Sequence, residues 1–372
     1  MGDFSNASFL DRIWLPRPDT TQGDAKAILL KQYSLSGALK ELDSQQDRNY
    51  LIDTGAESCV LRICLAEYEL TELEAQVSAF QHLRMKPDAP RVPSIIRTTA
   101  GDSITLLDIR GRKYWARLLE YLEGEPLEEE ENLSPELTRS LGALAANLTL
   151  GLSDFHHPGL NRSLQWDLRN AGSVADHLLS SVHDDERRKR ISKGMASALK
   201  RLEPLKNDLR IQTVHHDLTG DNVLGRKDQF GVSIPDAVID FGDIMRGWLV
   251  SDLVVLCAWM LHYSEADIQS ILPAIIAYNQ ICPLKDAELR AIWPLVIVRS
   301  VVLLACSEQQ RSVDPANIYA YRDLEIERGV FERVTSVDAD TIYTKITNAL
   351  AGVAARGEKI QAIYRRKLAH RY

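Results

Sequence analysis

The sequence is poor in cysteine, and its cysteine spacing predicts neither a disulfide framework nor a zinc site. The five cysteines are odd in number and scattered, without a Cys-x-x-Cys pair. They are Cys59, Cys64, Cys257, Cys282 and Cys306. This usage predicts reduced thiols in a cytoplasmic protein. The first residues also lack the apolar core of a secretory signal, so secretion is not expected.

An excess of positive charge is missing as well. The formal net charge of −8 argues against nucleic acid as a general partner and suits a cationic or amino-bearing small molecule. The main apolar run, 291–305, is interrupted by Pro294, Arg299 and Ser300, and we expect it to be shorter than the roughly 20 residues of a membrane span. Neither a nucleic-acid partner nor a membrane partner is therefore predicted.

Two short polar segments predict phosphoryl transfer. In the first, Asp217 follows His215 by two residues and precedes Asn222 by five; in the second, Asp240 begins an Asp-Phe-Gly sequence. Transfer from a nucleoside triphosphate needs a group that accepts the hydroxyl proton and oxygen ligands that hold Mg²⁺ against the phosphates. Asp217 is the candidate base, and Asn222 and Asp240 are the candidate metal ligands.

Either segment alone would be a weak signal, because a turn Asp or Asn often bonds only its own backbone. Here each segment follows an apolar strand, 211–214 and 237–239, and their order and separation fit a catalytic loop and a metal loop on neighbouring strands. The pair together favours a kinase over a structural turn.

These residues resemble the aminoglycoside phosphotransferase and choline kinase superfamily, and are most similar to its hydroxylysine kinase group. Further similar segments are residues 44–50, 117–124, 155–158 and 165–168. The resemblance implies an α+β, protein-kinase-like fold with a small antiparallel-sheet N-lobe and a mostly helical C-lobe. It also implies Mg²⁺ and ATP or GTP as phosphoryl donor, and an aminotransferase-type pathway partner.

The pattern along the chain agrees with two lobes. We expect an N-terminal extension and helix over 1–33, a nucleotide-binding N-lobe over 34–122, and a C-lobe over 123–372 that carries the catalytic loop, the metal loop and the acceptor site. The predicted strands are 38–42, 50–54, 58–65, 94–99, 103–107 and 114–122. The predicted helices are 20–33, 70–83, 135–155, 171–182, 187–202, 249–263 and most of the chain beyond about 265.

The nucleotide contacts follow from the resemblance. Ser44, Gln46 and Asn49 lie in a polar turn without glycine, where a kinase places the loop that covers the phosphates; a solvated hairpin turn is the alternative. Glu120 and Leu122, at the link between the lobes, would present backbone groups to the base.

The third strand departs from the kinase pattern. A kinase has Lys there, paired with a helix Glu, whereas this chain has Arg62, with Glu74 as the expected carboxylate. Arginine keeps the charge but has a wider, planar head group. The alternative is an exposed strand arginine beside an unrelated glutamate.

Several residues are candidates for the acceptor site or for support of the loops. Arg299 interrupts an apolar helix and needs an anionic partner, either a protein carboxylate or the carboxylate of an amino-acid substrate. Trp166 and Asp167 could form an aromatic wall and an ammonium acceptor, or could serve packing and helix capping. Asp243 is a candidate for lining the acceptor site. His215 and Asp252 are expected to support the catalytic loop.

The sequence therefore predicts a small-molecule kinase that phosphorylates a hydroxyl of an amino-bearing metabolite, such as the hydroxylated amino acid hydroxylysine. Two alternatives remain open. One is a nucleotide-binding pseudokinase with a regulatory role, suggested by Arg62 in place of Lys. The other is an antibiotic phosphotransferase of the aminoglycoside type.

Overall fold

The computed structural model describes residues 16–44, 46–182, 184–263, 266–313 and 318–369. These fall into two compact units. The first contains the described residues of 1–129, 148–167 and 212–247, and the second those of 130–147, 168–211 and 248–372. The predicted N-lobe lies inside the first unit, while the predicted C-lobe is divided between the two. The lobe boundaries therefore stay a prediction.

The first unit begins with a capped helix, α1 (Gln22–Ile28), which continues as a π-helical turn, Leu29–Tyr33. Thr21 forms the cap: its side chain accepts from the Asp24 N–H, and the Asp24 carboxylate accepts from the Thr21 N–H. The predicted helix over 20–33 thus exists, but it is α-helical only in its first part.

Six strands form one antiparallel sheet in the order β1-β2-β3-β6-β4, with β5 also paired to β6. They are β1 (Ala38–Leu42), β2 (Arg48–Asp53), β3 (Ser58–Leu65), β4 (Ile95–Ile96), β5 (Thr105–Ile109) and β6 (Arg112–Glu120). The predicted bounds of β1 and β3 are confirmed. The predicted strand over 94–99 shrinks to two residues, and the later strands are shifted by about two residues.

Alternate residues of the central strands face opposite sides of this sheet, as strand geometry requires. One side carries a hydrophobic core that includes Tyr50, Leu61 and Leu118, against which Leu29 and Tyr33 also pack. The opposite side carries Asn49, Arg62 and Arg117, which are paired across β2, β3 and β6. The polar side is therefore fixed by the burial of its apolar neighbours.

Helix α2 (Leu70–Arg84) follows β3. Its buried residues include Glu72, Gln76 and Phe80, spaced four apart on one face, whereas Glu74 is exposed. The rotation of α2 about its own axis therefore places the Glu72 carboxylate inward and the Glu74 carboxylate outward.

Two smaller sheets complete the first unit. β10 (Ser233–Val238), β9 (Val223–Lys227) and β7 (Glu125–Pro126) form one, and β11 (Met245–Trp248) pairs with β8 (Ile211–Val214). Arg91 joins this region to the segment before β4: it makes a parallel bridge to Ala237 and a bidentate pair with Asp236, at 2.8 and 2.9 Å. The strands that carry the two polar segments are thus bonded to the part of the chain that carries the large sheet.

The remaining helices lie mostly in the second unit. They are α3 (Pro135–Gly151), α4 (Ala171–Leu178), α5 (Asp185–Leu202), α6 (Ser251–Met260), α7 (Ile268–Ile281), α8 (Asp286–Val313), α9 (Ile318–Thr335) and α10 (Ala339–Ala369). Short 3-10 turns occur at Leu127–Glu129, Pro158–Leu160 and Leu179–Ser181. The predicted helices are confirmed with ends that differ by a few residues.

Helix α8 corrects one expectation. The apolar run around Arg299 was expected to be too short for a membrane span, but the helix continues through Pro294 and Arg299 for 28 residues. By length and composition it could cross a membrane: within Asp286–Arg311, a window of 18 residues has a mean hydropathy of 1.9. However, 78% of those 18 residues are buried inside the protein, as in the core helix of a globular domain, so length and composition are weak evidence for a span.

Candidate active site

The predicted catalytic loop lies between β8 and β9 and brings Asp217 and Asn222 together. The Asn222 side-chain amide, Nδ2, donates to the Asp217 backbone oxygen at 2.9 Å and to Asp217 Oδ2 at 2.8 Å. Two backbone bonds fold the intervening residues: Thr219 N–H donates to Asp217 O, and Asn222 N–H to Thr219 O. The tight turn therefore aligns the carboxylate of Asp217 against the amide of Asn222.

His215 is fully buried behind this loop. Its Nδ1 accepts from the Asp217 N–H at 3.3 Å, so Nε2 carries the proton that is donated to Ile239 O at 3.0 Å. The ring also lies edge-on to Phe241, with 4.6 Å between centroids. This neutral histidine ties the catalytic loop to the metal loop, the arrangement expected of a supporting residue.

Asp240 begins the predicted metal loop two residues after the end of β10. Its backbone is left-handed (φ 53°), and its Oδ1 accepts from the Gly242 N–H at 3.0 Å. The Ile239 N–H donates to Asn222 O at 2.9 Å. The backbone of Ile239 thus joins the metal loop to Asn222, although Asp240 lies 18 positions after Asn222 in the chain.

Arg62 lies against Asp240. Its Nη1 donates to Asp240 Oδ1 at 3.0 Å and its Nη2 to Asp47 Oδ2 at 2.8 Å. The Asp240 side chain is 40% exposed, so its burial is partial. Partial burial alone would raise the pKa of the Asp240 carboxyl, but Arg62 outweighs that effect and holds the pKa at about 2. Burial likewise disfavours charged Arg62, yet Asp240 and Asp47 keep the pKa of its guanidinium above the ordinary value.

The expected pair of Arg62 and Glu74 is wrong. Glu74 is exposed, because it lies on the outer face of α2, while the hydrogen bonds found for Arg62 among the described residues run to Asp47 and Asp240. Asp47 was not among the residues predicted for the site. Its position inside the polar turn before β2, one strand from Arg62, is the signal that could have identified it.

The inward carboxylate of α2 is Glu72, which binds Arg162 at 3.2 Å; both side chains are less than a tenth exposed. Arg162 also donates to the backbone oxygens of Gly242 and Ile244. Helix α2 is therefore joined to the metal loop through Arg162 rather than through the strand arginine. The four-residue spacing in α2 could have identified Glu72, but Arg162 lies in irregular chain without a motif.

The three residues of the predicted phosphate-covering turn have different surroundings. Ser44 Oγ accepts from the Asp47 N–H at 3.2 Å, and exposed Gln46 accepts from the Tyr68 hydroxyl at 2.8 Å. Asn49 lies opposite Arg62, and its buried Oδ1 has no hydrogen-bond partner among the described residues. Ser44 and Gln46 thus hold the turn, while Asn49 faces the polar side of the sheet.

Glu120 and Leu122 follow the end of β6. The Glu120 N–H donates to Ser94 O at 2.9 Å, and its carboxylate accepts from the Ser94 hydroxyl at 2.7 Å. Leu122 packs with Leu224 and Ala237. Since the Glu120 N–H is already bonded, a contact from Glu120 to a nucleotide base would have to use its carbonyl oxygen.

The acceptor candidates are distributed over both units. Asp243 is half-buried in the metal loop of the first unit. Trp166 and buried Asp167 belong to the same unit, where Trp166 O accepts from His216 Nε2 at 2.8 Å. Arg299 and Asp252 are both buried in helices of the second unit. Their predicted roles stay predictions.

The two candidate ligands are of the chemical type that magnesium prefers. The Asn222 amide nitrogen is bonded to Asp217, which leaves its Oδ1 as the group that can face a cation, and Asp240 supplies a carboxylate. Among the described residues, no group of three or more His, Cys, Asp or Glu side chains could hold a metal. Two oxygen ligands suffice for Mg²⁺, which keeps waters and binds substrate phosphates in its other positions.

Comparison with known proteins decides the family. Residues 38–291, more than half of the chain and including both loops, match the model of the phosphotransferase enzyme family (APH). The chain belongs to that family. It is an enzyme that phosphorylates a small molecule.

Individual proteins agree with this assignment. The phosphotransferase is 25% identical to a hydroxylysine kinase of Mus musculus over 321 residues, covering 79% of this chain and 84% of that protein. It is 26% identical to a hydroxylysine kinase of Xenopus laevis over 324 residues, covering 81% and 86%.

Solved structures show the fold. A microcompartment-associated aminopropanol kinase superposes with a TM-score of 0.67 at 19% identity, covering 84% of this chain and 96% of that one. An amicoumacin kinase, solved with AMP-PNP, Ca²⁺ and Ami, gives 0.66 at 16% identity, covering 87% and 97%. The phosphotransferase therefore has the predicted kinase-like α+β fold.

Proposed function

We propose that this phosphotransferase transfers the γ-phosphoryl group of ATP or GTP, with Mg²⁺, to the hydroxyl of a hydroxylated amino acid such as hydroxylysine. The observation that carries the proposal is the hydrogen bond between Asn222 and Asp217, together with the backbone bond that joins Asn222 to Ile239, the residue before Asp240. These residues match the parts that phosphoryl transfer requires. The similarity to hydroxylysine kinases supports the acceptor class.

In the proposed reaction, the acceptor oxygen forms a bond to the γ-phosphorus as the bond from that phosphorus to the β,γ-bridging oxygen breaks. The nucleoside diphosphate leaves with the electron pair, and the acceptor proton passes to the Asp217 carboxylate. Bound Mg²⁺ would supply positive charge at the phosphate oxygens.

The chain's own residues prepare this step by fixed hydrogen bonds. Asn222 holds Oδ2 of Asp217, and His215 fixes the Asp217 backbone, so the carboxylate is oriented before the acceptor binds. Arg62 contributes the positive charge that a kinase obtains from lysine. We propose Ser44, Gln46, Asn49 and the Glu120 carbonyl as further nucleotide contacts.

We propose Asp243, Asp167 and Trp166, all of the first unit, as contacts for the amino end of the acceptor. The proposal of Arg299 for its carboxylate rests on the sequence alone. A net charge of −8 is consistent with an amino-bearing acceptor. The proposal includes a cytoplasmic location, supported by five free cysteines. It also includes an aminotransferase-type enzyme in the same pathway, which the resemblance implies.

A panel of acceptors tests the proposal. Release of ADP or GDP is measured with Mg²⁺ and either ATP or GTP, in the presence of 5-hydroxylysine, homoserine, ethanolamine, choline or an aminoglycoside. Lysine is the matched control because it lacks only the hydroxyl group. We expect turnover that depends on 5-hydroxylysine and is absent with lysine. Turnover with the aminoglycoside and with no other acceptor would show that the acceptor is an aminoglycoside and not a hydroxylated amino acid. No turnover with any acceptor would contradict the proposal.

A further inference from the structure

A row of three polar side chains crosses the sheet beneath the candidate active site. Arg62 on β3 is the direct cross-strand partner of Asn49 on β2 and of Arg117 on β6. Direct cross-strand neighbours share one face, with Cβ atoms about 4.5–5.5 Å apart. Two guanidinium groups therefore start from adjacent positions on the same side of the sheet.

Arg117 is the unusual member of this row because it is only 3% exposed and poorly bonded. Its Nη2 donates to Gln76 Oε1 at 2.6 Å. Its Nε and Nη1 are buried and have no hydrogen-bond partner among the described residues. A buried cation with unmet N–H groups is costly, and a neutral amide compensates it poorly.

The neighbouring guanidinium of Arg62 increases this cost, which the carboxylates of Asp47 and Asp240 offset only in part. Burial and the positive charge of Arg62 lower the pKa of the Arg117 guanidinium. The nearby carboxylates, Asp47 and Asp240, are hydrogen-bonded to Arg62 instead. Arg117 thus has N–H donors on the polar side of the sheet, and no carboxylate among the described residues accepts from them.

We propose that Arg117 is a second phosphate-binding residue, and that Arg62 and Arg117 together bind the polyphosphate of the nucleotide. The inference rests on the proposed function, since it requires a nucleotide at this site. A polyphosphate competes with Asp47 and Asp240 for Arg62, and displacement of the Arg62 side chain opens access to Arg117. The unmet N–H groups of Arg117 then donate to phosphate oxygens, as guanidinium groups do bidentately.

A purely structural role for Arg117 is the alternative that the experiment must distinguish from phosphate binding. Arg117 could serve only to join β6 to α2 through Gln76, in which case its replacement would alter stability or the whole nucleotide site, but not phosphate binding selectively. The distinguishing measurement compares a nucleoside diphosphate with its nucleoside, because only the first carries the proposed ligand group.

The experiment uses the full chain and its Arg117→Met and Arg117→Lys variants, with Mg²⁺ at one fixed concentration. Dissociation constants are measured for ADP and adenosine, or for GDP and guanosine if the unmutated enzyme binds guanine nucleotides. Arg112→Met is the matched control: Arg112 lies on the same strand, but its side chain is 42% exposed and binds Glu67.

We expect Arg117→Met to weaken diphosphate binding by about tenfold to a hundredfold, the range for charge-assisted hydrogen bonds, and to leave nucleoside binding unchanged. Arg117→Lys should lie between Met and the unmutated enzyme, and its partial affinity tests the inference even if the Met variant does not fold. Arg112→Met should bind both ligands normally.

Unchanged diphosphate affinity in Arg117→Met would overturn the inference, as would equal weakening of diphosphate and nucleoside. In either case normal nucleotide binding by the unmutated enzyme would leave the proposed function intact. An unmutated enzyme that binds neither ADP nor GDP would overturn both the proposed function and this inference.

Discussion

Arg62 donates from Nη1 to Oδ1 of Asp240 at 3.0 Å, so the residue expected to bind phosphates lies against the carboxylate expected to bind the metal. The same guanidinium binds Asp47 through Nη2, which makes Arg62 the centre of a three-residue ion cluster. Arginine is suited to this arrangement because its planar head group can bind two carboxylates at once, whereas a lysine ammonium is a single compact charge.

This cluster predicts how Arg62 variants behave. Arg62→Met removes the cation and should weaken nucleotide binding at least tenfold, because a charge-assisted contact to phosphate is lost. Arg62→Lys retains the charge and should keep most of the affinity. Calorimetric titration with ADP and Mg²⁺ measures both. If Arg62→Met binds ADP as tightly as the unmutated enzyme does, Arg62 does not bind the phosphates.

The depressed pKa of Asp240 predicts an acid-dependent loss of stability. The folded pKa, about 2, lies below the ordinary value of 3.8, so ionised Asp240 stabilises the fold above the ordinary pKa. That contribution is lost as the pH falls through the ordinary pKa toward the folded one. Urea unfolding between pH 6 and 2, an interval of about four units spanning both pKa values, should therefore show a steeper loss in the unmutated protein than in Asp240→Asn.

The Asn variant is a suitable reference because all other titrating groups remain in both proteins. Parallel pH profiles would show that Asp240 is not held ionised by Arg62. The comparison concerns slopes, so a constant offset caused by leaving Arg62 with one carboxylate does not affect it.

Glu72 and Glu74 give a matched pair on one helix. Glu72 binds Arg162 in a buried ion pair, whereas Glu74 is exposed two residues away. Glu72→Gln should lower the free energy of unfolding by up to about 3–5 kcal/mol, the cost of leaving a buried cation unpaired, and should lower kcat because Arg162 holds the Gly242 and Ile244 backbone.

Glu74→Gln should change neither quantity. Thermal unfolding and steady-state kinetics on both variants check the prediction. A larger effect at Glu74 than at Glu72 would restore the pairing expected from the sequence and contradict the observed rotation of α2.

The proximity of Asp217 and Asn222 could be predicted from the sequence because it depends on local structure. Asp217 and Asn222 are five residues apart in one turn, and each loop follows a recognisable strand. The choice of Glu74 failed because it depends on the rotation of a helix against a sheet, which spacing from Arg62 does not determine. That rotation is instead visible in the burial of Glu72, Gln76 and Phe80, which share one face of α2.

Arg162 could not be predicted for a related reason. Its partners, Glu72 and Ile244, lie 90 and 82 residues away in the chain, and no local pattern marks it. Helix α8 was underestimated because Pro294 and Arg299 were treated as interruptions. In the structure the helix accommodates both within a buried, largely apolar surrounding.

The most direct test of the account is the activity of Asp217→Asn, which keeps the size of the side chain and removes its basicity. With the best acceptor from the panel, we expect kcat to fall by about 10² to 10⁴, the usual contribution of a general base, while the dissociation constant for the nucleotide stays unchanged. A variant with normal kcat would contradict the assignment of Asp217 as the group that accepts the hydroxyl proton.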